Sequence, residues 1–392
     1  FNIILFGFIG QVAWAVENVY FNTFLFNYIG GTADDIAKMV AASAIAAVVT
    51  TFIMGTLSDK LDRRKIFISG GYIIWGFTVA VFAFISRENI GKLFNISDTS
   101  KVVAATVCVV IIMDCVMTFF GSTSNDAAFN AWVTDVTVPE NRGTAEAVLA
   151  LLPVFATVIV TVAFGVGVEA AGYPACFMFL GALVTICGII GLFSVKDPRK
   201  GVKQSTNYFS DLIYGFRPSV IKNNAALYLC LASACIFNTA VQVFMPYIFI
   251  YVQHYLKFDL NTFQITTPII IGGAAAVVGL VVVTILLGKL LDKVGKRIFV
   301  FPAVLLFVAG LVAVFFAKTL LTFVLLALIM ILGYGLLMII LNATVRDYTP
   351  EDKVGQFQGV RLLFTVPLPM IIGPKVGSWT ISEFSGRYEL GT

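Results

Sequence analysis

The sequence predicts an all-α polytopic membrane protein, and three observations support that fold class. First, 59% of the 392 residues are hydrophobic and only 12% are charged, whereas about a quarter of the residues of a soluble domain are charged. Second, apolar runs of the roughly 20 residues needed to cross a bilayer recur along the chain. Third, short polar segments separate these runs. A soluble protein could not bury this much apolar surface beneath a charged exterior.

Eleven spans can be placed from these runs. They lie near residues 2–29, 36–58, 65–86, 102–132, 145–168, 173–194, 225–253, 262–289, 297–317, 319–345 and 357–379. The one long polar segment between spans, 195–224, divides the chain into an N-terminal six-helix bundle, 1–194, and a C-terminal bundle, 225–392. Because Phe1 already lies in an apolar run and the polar end at Thr392 follows an eleventh span, we expect residues to be missing at both ends, including a twelfth helix.

The loops differ in charge. Most of the 26 lysines and arginines lie in one set of alternate loops, which includes the 195–224 linker. Cytoplasmic loops carry such an excess of positive charge. We therefore expect both termini to be cytoplasmic, and the protein to be integral to the plasma (inner) membrane.

Two polar motifs each occur twice in the sequence. NAWVTDVTVPENRG at 130–143 returns as NATVRDYTPEDKVG at 342–355, and GTLSDKLDRR at 55–64 returns as GKLLDKVGKR at 288–297. Two motifs in the same order and in the same kind of loop indicate an internal duplication. Parallel repeats of six helices are typical of one class of transporter, in which the halves rock around a central site.

The second motif resembles the loop signature G-x-L-x-D-x-x-x-R-[RK] of the major facilitator superfamily, and the resemblance covers the whole chain. It implies the major facilitator fold, with two six-helix pseudo-repeats. An Asp at this position can face the positive end of a neighbouring helix, and the basic residues can pair across the cytoplasmic seam. The predicted gate residues are Asp59, Arg63, Arg64, Asp292, Lys296 and Arg297. Alternatively, the basic residues only set the topology.

Five ionisable residues that lie away from the ends of the predicted spans are candidates for the site, because a charge within the membrane is expensive unless it faces a cavity or a partner. They are Glu17, Asp114, Asp126, Arg361 and Lys375. Ser122, Asp126 and Asn130 are four residues apart and share one face of span four. We expect that face to line the central cavity. Asp114 is rotated from it by roughly 120° on a regular α-helix, so we rank it below Asp126.

The stretch N125-D126-AAF-N130 in span four and ENVYFNTFLFNYIGG in span one resemble the melibiose-permease-type glycoside–pentoside–hexuronide:cation symporters. The resemblance implies that Asp126 binds the sugar or the cation. The sodium-using permeases carry acidic residues in helix two, whereas span two here has none and offers only Thr50 and Thr51 near its inner half. A proton carried by Glu17 or Asp126 is therefore expected in preference to sodium, with Arg361 nearby.

Sugars bind to aromatic faces, amides and carboxylates. Span one offers Trp14 and Tyr20, and the equivalent span seven offers Asn238 and Gln242 on one face. These four residues, with Glu17, Asp126, Asn130 and Arg361, form the predicted substrate and cation site. The alternative is that the aromatic side chains pack between helices and that the amides join helices by hydrogen bonds.

Other function classes have less support. The chain shows no nucleophile–base pair, metal cluster or phosphate loop, so we predict neither an enzyme nor a cofactor. The six cysteines suit apolar packing, and the single histidine, His254, suits the membrane interface. A lipid-like substrate, drug export and a non-transporting sensor stay open as alternatives. The expected partners are a small-molecule substrate, a coupling cation (proton or sodium) and the lipid bilayer, without nucleic acid, and the expected state is a monomer.

Overall fold

The described residues form a helical protein. A computed structural model describes residues 1–61, 63–137, 139–197, 214–256, 279, 296–350 and 354–388. In these residues all regular structure is helical, and nine helices are long and apolar enough to cross a membrane. The predicted all-α polytopic class is confirmed. The predicted span at 262–289 lies outside the described residues, apart from residue 279.

Six helices form the described part of the N-terminal half. They are α1 (Asn2–Ile29), α2 (Ala33–Leu61), α3 (Ile66–Phe84), α4 (Arg87–Phe94), α5 (Thr99–Val133) and α6 (Pro139–Ser194). The short α4 is capped by Ser86, whose Oγ accepts a hydrogen bond from the Asn89 amide. Asp98 caps α5 in the same way. Gly172 has a φ of 79° inside α6, so this element contains the two predicted spans 145–168 and 173–194, separated by a kink.

The C-terminal half contributes six further helices in the described residues. They are α7 (Pro218–Asn223), α8 (Ala225–His254), α9 (Lys296–Phe315), α10 (Leu320–Tyr348), α11 (Val354–Thr365) and α12 (Pro367–Tyr388). The last two form one membrane passage that bends near Pro367, a residue that cannot donate a backbone hydrogen bond. That passage corresponds to the predicted span 357–379.

Several helices depart from regular α geometry, and α1 and α5 do so where they carry residues of the predicted site. Helix α1 contains π-helical segments at Glu17–Phe21 and Phe24–Ile29, and α5 contains one at Ser122–Phe129. Such segments are rare and occur frequently at functional sites. Both irregular stretches coincide with sequence regions that the charge pattern singles out.

The core of the N-terminal half is densely aromatic. Phe24, Tyr72, Trp75 and Phe177 are fully buried in one cluster that draws on α1, α3 and α6. Gly76 lets α3 and α6 touch, because a Cβ there would lie 2.5 Å from the Gly181 carbonyl oxygen. The C-terminal half has two smaller clusters in the described residues.

The two halves pack together through α2 and α12. We call the end of the protein that carries Arg64, Lys196 and Lys296 the basic end. The other end, which carries Asp34 and His254, is the far end. Helix α2 runs from the far end to the basic end, so it connects the contact between the halves with the repeated loop motif.

Candidate functional site

Glu17 lies at the centre of a polar cluster formed by three helices. The hydroxyl of Ser43 in α2 donates a 2.7 Å hydrogen bond to Glu17 Oε1, and the hydroxyl of Thr118 in α5 donates a 3.2 Å bond to the same oxygen. The two hydroxyl oxygens are 2.9 Å apart. The α1 carboxylate predicted from the sequence is therefore held by hydroxyl groups from α2 and α5.

Asp114 belongs to the same cluster, although its position in the sequence had placed it below Asp126. It is only 1% exposed, and it approaches both Glu17 and Ser43. The expectation that it is rotated away from Asp126 assumed a regular α-helix. The segment Ser122–Phe129, which contains Asp126, is π-helical and turns less per residue than an α-helix, so the regular spacing does not apply across it.

Asp126 occupies a more open position on α5. Its Oδ2 accepts a 2.8 Å hydrogen bond from the Ser122 hydroxyl, and the Asn130 side chain donates a 3.1 Å bond to its backbone carbonyl. Asp126 is half-buried and Asn130 is exposed, whereas Asp114 is sealed from water. Asp126 is also close enough to Glu17 for the two charges to interact.

The neighbouring face of α5 is anchored to the bundle rather than open. Asn125 donates a 2.7 Å hydrogen bond to the Tyr72 hydroxyl, which in turn donates a 2.6 Å bond to the Phe6 carbonyl. Trp14 Nε1 donates a 3.2 Å bond to Asn125 Oδ1. This network holds the polar stretch of α5 against α1 and α3, and it fixes the orientation of Asp126.

The two predicted aromatic site residues differ in their surroundings. Trp14 packs against Trp75, with ring centroids 5.0 Å apart, and stays half-buried. Tyr20 is buried and donates its hydroxyl proton to the Thr161 carbonyl at 2.9 Å. In this conformation Tyr20 joins α1 to α6, so its described contacts are those of a packing residue.

The predicted residues of the C-terminal half are half-buried. They are Asn238 and Gln242 on α8 and Arg361 on α11. Gln242 packs against Gly373 of α12, where a Cβ would lie 2.5 Å from the Gln242 Cβ. None of the described hydrogen bonds of the Glu17 cluster comes from these residues.

At the basic end, the two repeated motifs meet. Arg64 Nε lies 3.2 Å from Asp135 Oδ2, and Arg64 Nη1 donates a 2.5 Å bond to Ser58. In the other half, Lys296 Nζ lies 2.5 Å from Asp347 Oδ2. In each case a basic residue of the loop motif pairs with the Asp of the Asn-Ala-x-Val-x-Asp motif of the same half.

The structure describes the remaining predicted gate residues only in part. Arg63 and Arg297 are exposed. Asp292 and the side chain of Asp59 lie outside the described residues. Asp135 forms its described ion pair with Arg64.

At the far end, polar contacts join the two halves. Asn27 donates a 2.9 Å hydrogen bond to Gln253 and lies 2.9 Å from His254 Nε2. The Tyr247 hydroxyl is 3.0 Å from the Ala33 carbonyl and 2.8 Å from the Pro374 carbonyl. Lys375 pairs with Asp34. Lys375 thus meets a charged partner at the start of α2, whereas the sequence indicated only an ionisable residue within a span.

Comparison with known proteins identifies the family to which the chain belongs. The sequence matches the Major Facilitator Superfamily over residues 3–385. The chain belongs to the major facilitator superfamily. This result confirms the superfamily inferred from the repeated loops, and it identifies the protein as an integral membrane transporter rather than an enzyme. A search of curated proteins finds no match.

Solved major facilitator structures share the fold at low sequence identity. A crystal structure of the nucleoside transporter NupG aligns with a TM-score of 0.72 at 13% identity, covering 98% of this chain and 92% of that chain. A bacterial homologue of the human lysosomal transporter Spinster, inward-facing and unoccupied, gives 0.62 at 14%, covering 98% and 82%. The peptide transporter POT, as a mutant in complex with alafosfalin, gives 0.67 at 11%, covering 99% and 90%.

Proposed function

We propose that this major facilitator protein is a proton-coupled symporter of a sugar or glycoside that works by alternating access. The observation that carries the proposal is the position of Asp126. It is half-buried beside the exposed Asn130, and it lies close to Glu17. A carboxylate acceptor beside an exposed amide suits a solute rich in hydroxyl groups. The nearby carboxyl group supplies a place for the coupling ion.

The melibiose-permease-type resemblance supports the same reading. It assigns substrate or cation binding to Asp126, and Trp14, Asn238, Gln242 and Arg361 complete the proposed site from both halves. Tyr20, which was also predicted for the site, would join it only in a conformation in which its hydrogen bond to Thr161 is broken. Span two still offers no acidic residue within the membrane beyond its first turn, which favours a proton over sodium.

The proposed transport cycle uses both ends of the protein. Residues 1–194 and 225–392 would move as two units joined by the 195–224 linker. Opening at the far end would break the contacts of Asn27, Tyr247 and Lys375. The proposed gate at the basic end, Asp59, Arg63, Arg64, Asp292, Lys296 and Arg297, would then close. We further propose that the basic end faces the cytoplasm and that the protein works as a monomer in the plasma (inner) membrane.

Thermal unfolding of the purified protein tests the substrate class. A ligand that binds the folded state raises the melting temperature by mass action. The panel would contain mono- and disaccharides, glycosides, uronides and nucleosides, each with and without sodium and at two pH values. Nucleosides belong in the panel because they are glycosides and because NupG, a protein of the same fold, is a nucleoside transporter.

Three outcomes decide between the proposals. A rise in melting temperature with one class of sugar, larger at low pH and unaffected by sodium, supports proton-coupled symport. A shift that requires sodium overturns the choice of ion. If no sugar or glycoside raises the melting temperature, sugar transport is wrong, and lipid-like solutes and drugs are tested next. Uptake of the sugar that binds into proteoliposomes, with and without a pH gradient, then shows whether protons drive transport.

A further inference from the structure

We propose that Glu17 and Asp114 form a carboxyl pair that holds one shared proton, and that this pair, rather than Asp126, is the coupling-ion site. The proposal rests on proton-coupled transport as proposed above, and it adds Asp114, Ser43 and Thr118 to the site. It also assigns binding of the coupling ion and binding of the solute to different residues. Glu17 and the buried Asp114 would carry the ion, and Asp126, beside the exposed Asn130, would contact the solute.

The geometry places two acidic groups around one hydroxyl group. Ser43 donates its hydroxyl proton to Glu17 Oε1 at 2.7 Å, and Asp114 approaches the same serine from α5. Thr118 lies one helical turn after Asp114 and donates to Glu17 at 3.2 Å. The three helices α1, α2 and α5 therefore each contribute to one small polar cluster in an apolar surrounding.

Each carboxyl group still has an unused oxygen. Glu17 Oε2 and Asp114 Oδ1 are both shielded from water and have no hydrogen-bond partner. A buried carboxylate oxygen without a donor is strongly disfavoured, whereas a proton on one of the two groups removes one charge and supplies a donor. Two neighbouring carboxylates that share one proton satisfy this requirement better than two ionised groups.

The other groups that face the pair do not remove the need for the proton. Asp126 faces Glu17 from α5, and Cys115 lies beside both carboxyl groups. Asp126 adds negative charge when it is ionised, and a neutral thiol adds none. Ser43 and Thr118 are neutral hydroxyl groups, and they can donate only one hydrogen bond each.

The position of Ser43 connects the pair to the movement of the halves. Helix α2 carries Ser43 in its membrane-embedded part and Asp34 at the far end, where it pairs with Lys375 of α12. Loss of the shared proton would leave two like charges beside Ser43 and push α1, α2 and α5 apart. That displacement acts on the helix that holds the two halves together at the far end.

Infrared difference spectroscopy of the purified protein tests the shared proton without any transport substrate. The carbonyl stretch of a protonated carboxyl group is recorded while the pH rises from about 5 to about 9. In the wild type we expect one buried carboxylic band that is lost over this range. Glu17→Gln and Asp114→Asn should each move the loss of the band to lower pH, with at least about tenfold weaker proton binding, because the like-charged partner is gone.

Further variants make the result specific. The double variant Glu17→Gln/Asp114→Asn should remove the band. Asp126→Asn, the matched control on the same helix, should leave it with a much smaller shift. Ser43→Ala should keep the band but change its frequency, because the hydrogen bond from Ser43 to Glu17 is lost. Each variant is first checked for a single symmetric elution peak and a cooperative thermal transition, and Ser43→Ala keeps the test available if a carboxyl variant does not fold.

Four outcomes would overturn the proposal. These are a band that persists in the double variant, a titration that moves in only one of the two single variants, a band that disappears in Asp126→Asn, and loss of the band on adding sodium at constant pH. The last outcome would indicate a sodium site at the same residues. Because no sugar is present, the result is independent of whether the proposed substrate class is right.

Discussion

Two ion pairs at the basic end are built from the same repeated motifs but differ in their exposure to water. In the N-terminal half, Arg64 is 4% exposed and Asp135 22%, whereas in the C-terminal half Lys296 is 26% exposed and Asp347 57%. Arg64 also reaches Ser58, so the N-terminal pair is part of a network. A duplicated sequence therefore does not fix the energetic role of each copy.

The difference suggests a division of labour between the halves. A buried guanidinium with two described partners holds the end of α2 against the end of α5 in a fixed arrangement. An exposed ammonium in water exchanges partners at little cost, because the median surface salt bridge contributes about 0–1 kcal/mol. The C-terminal copy is therefore the one that can break and re-form during the transport cycle. The predictions below test this contrast.

The largest effect is expected when the buried pair is broken. Asp135→Asn leaves Arg64 almost fully buried without its described charge partner. Removal of one partner of a buried pair costs about 3–5 kcal/mol, and we expect about 2–3 kcal/mol here because Asp135 retains contact with water. The measurement is the melting temperature in detergent. A change no larger than that of Asp347→Asn would show that burial does not distinguish the two pairs.

The second effect concerns the contacts between the halves at the far end. Tyr247→Phe removes the hydroxyl group that lies against the carbonyls of Ala33 and Pro374. The loss of about 1 kcal/mol changes the ratio of closed to open far ends by about fivefold. Spin labels at Asn95 and Lys318, on a background without native cysteines, measure the distance across this end.

The matched control for Tyr247→Phe is Lys92→Met. It removes an exposed i,i+4 ion pair with Glu88 on α4, at the same end but within one half. We expect no change in the distance distribution. If both variants open the far end equally, the Tyr247 contact does not hold the halves together.

The sequence predicted much of this arrangement because its signals are local. Span positions follow from hydropathy, and the duplication follows from two short motifs with characteristic residues. The pairing of Arg64 with Asp135 required the three-dimensional placement of two loops 71 residues apart, although Arg64 was a predicted gate residue and Asp135 lies in the repeated motif at 130–143. Each repeated motif supplies one partner of the ion pair, but the sequence pattern does not show that these two partners contact each other.

The central cluster shows where sequence patterns fail. Asp114 ranked low because a regular helix of 3.6 residues per turn was assumed across the π-helical stretch of α5. Ser43 was overlooked because a single serine in an Ala-rich span carries no distinctive signal. The far-end contacts of Asn27 and Tyr247 were missed for another reason, since amide and tyrosine side chains occur throughout the spans and their partners lie in the other half.

A smaller effect is expected from the exposed ion pair of the C-terminal copy. Asp347→Asn removes the partner of Lys296, and the cost should be about 0.5 kcal/mol or less, because both groups remain hydrated. The same variant should change the rate of transport more than the melting temperature if this pair re-forms in each cycle. Addition of salt to the wild type should reproduce the effect, since screening weakens exposed pairs. A stability loss that persists in high salt would contradict the assignment.

The smallest effect is expected for a charge that is fully open to water. At the start of α5, hydrogen bonds from Ser100 and the Lys101 amide hold the pKa of Asp98 below its usual range. A lowered pKa in the folded state means that the cap stabilises the helix above the pKa of the unfolded chain, and that this stabilisation is lost as the pH falls through the folded pKa.

Asp98→Asn should therefore narrow the difference in melting temperature between neutral and strongly acidic pH by a small amount, because an amide still caps the helix but does not titrate. Asp135→Asn, which changes a partly buried group, should alter the melting temperature at neutral pH far more. If the two variants changed stability equally at neutral pH, the exposure of a charge would not predict its contribution in this protein, and the contrast between the two copies of the motif would lose its physical basis.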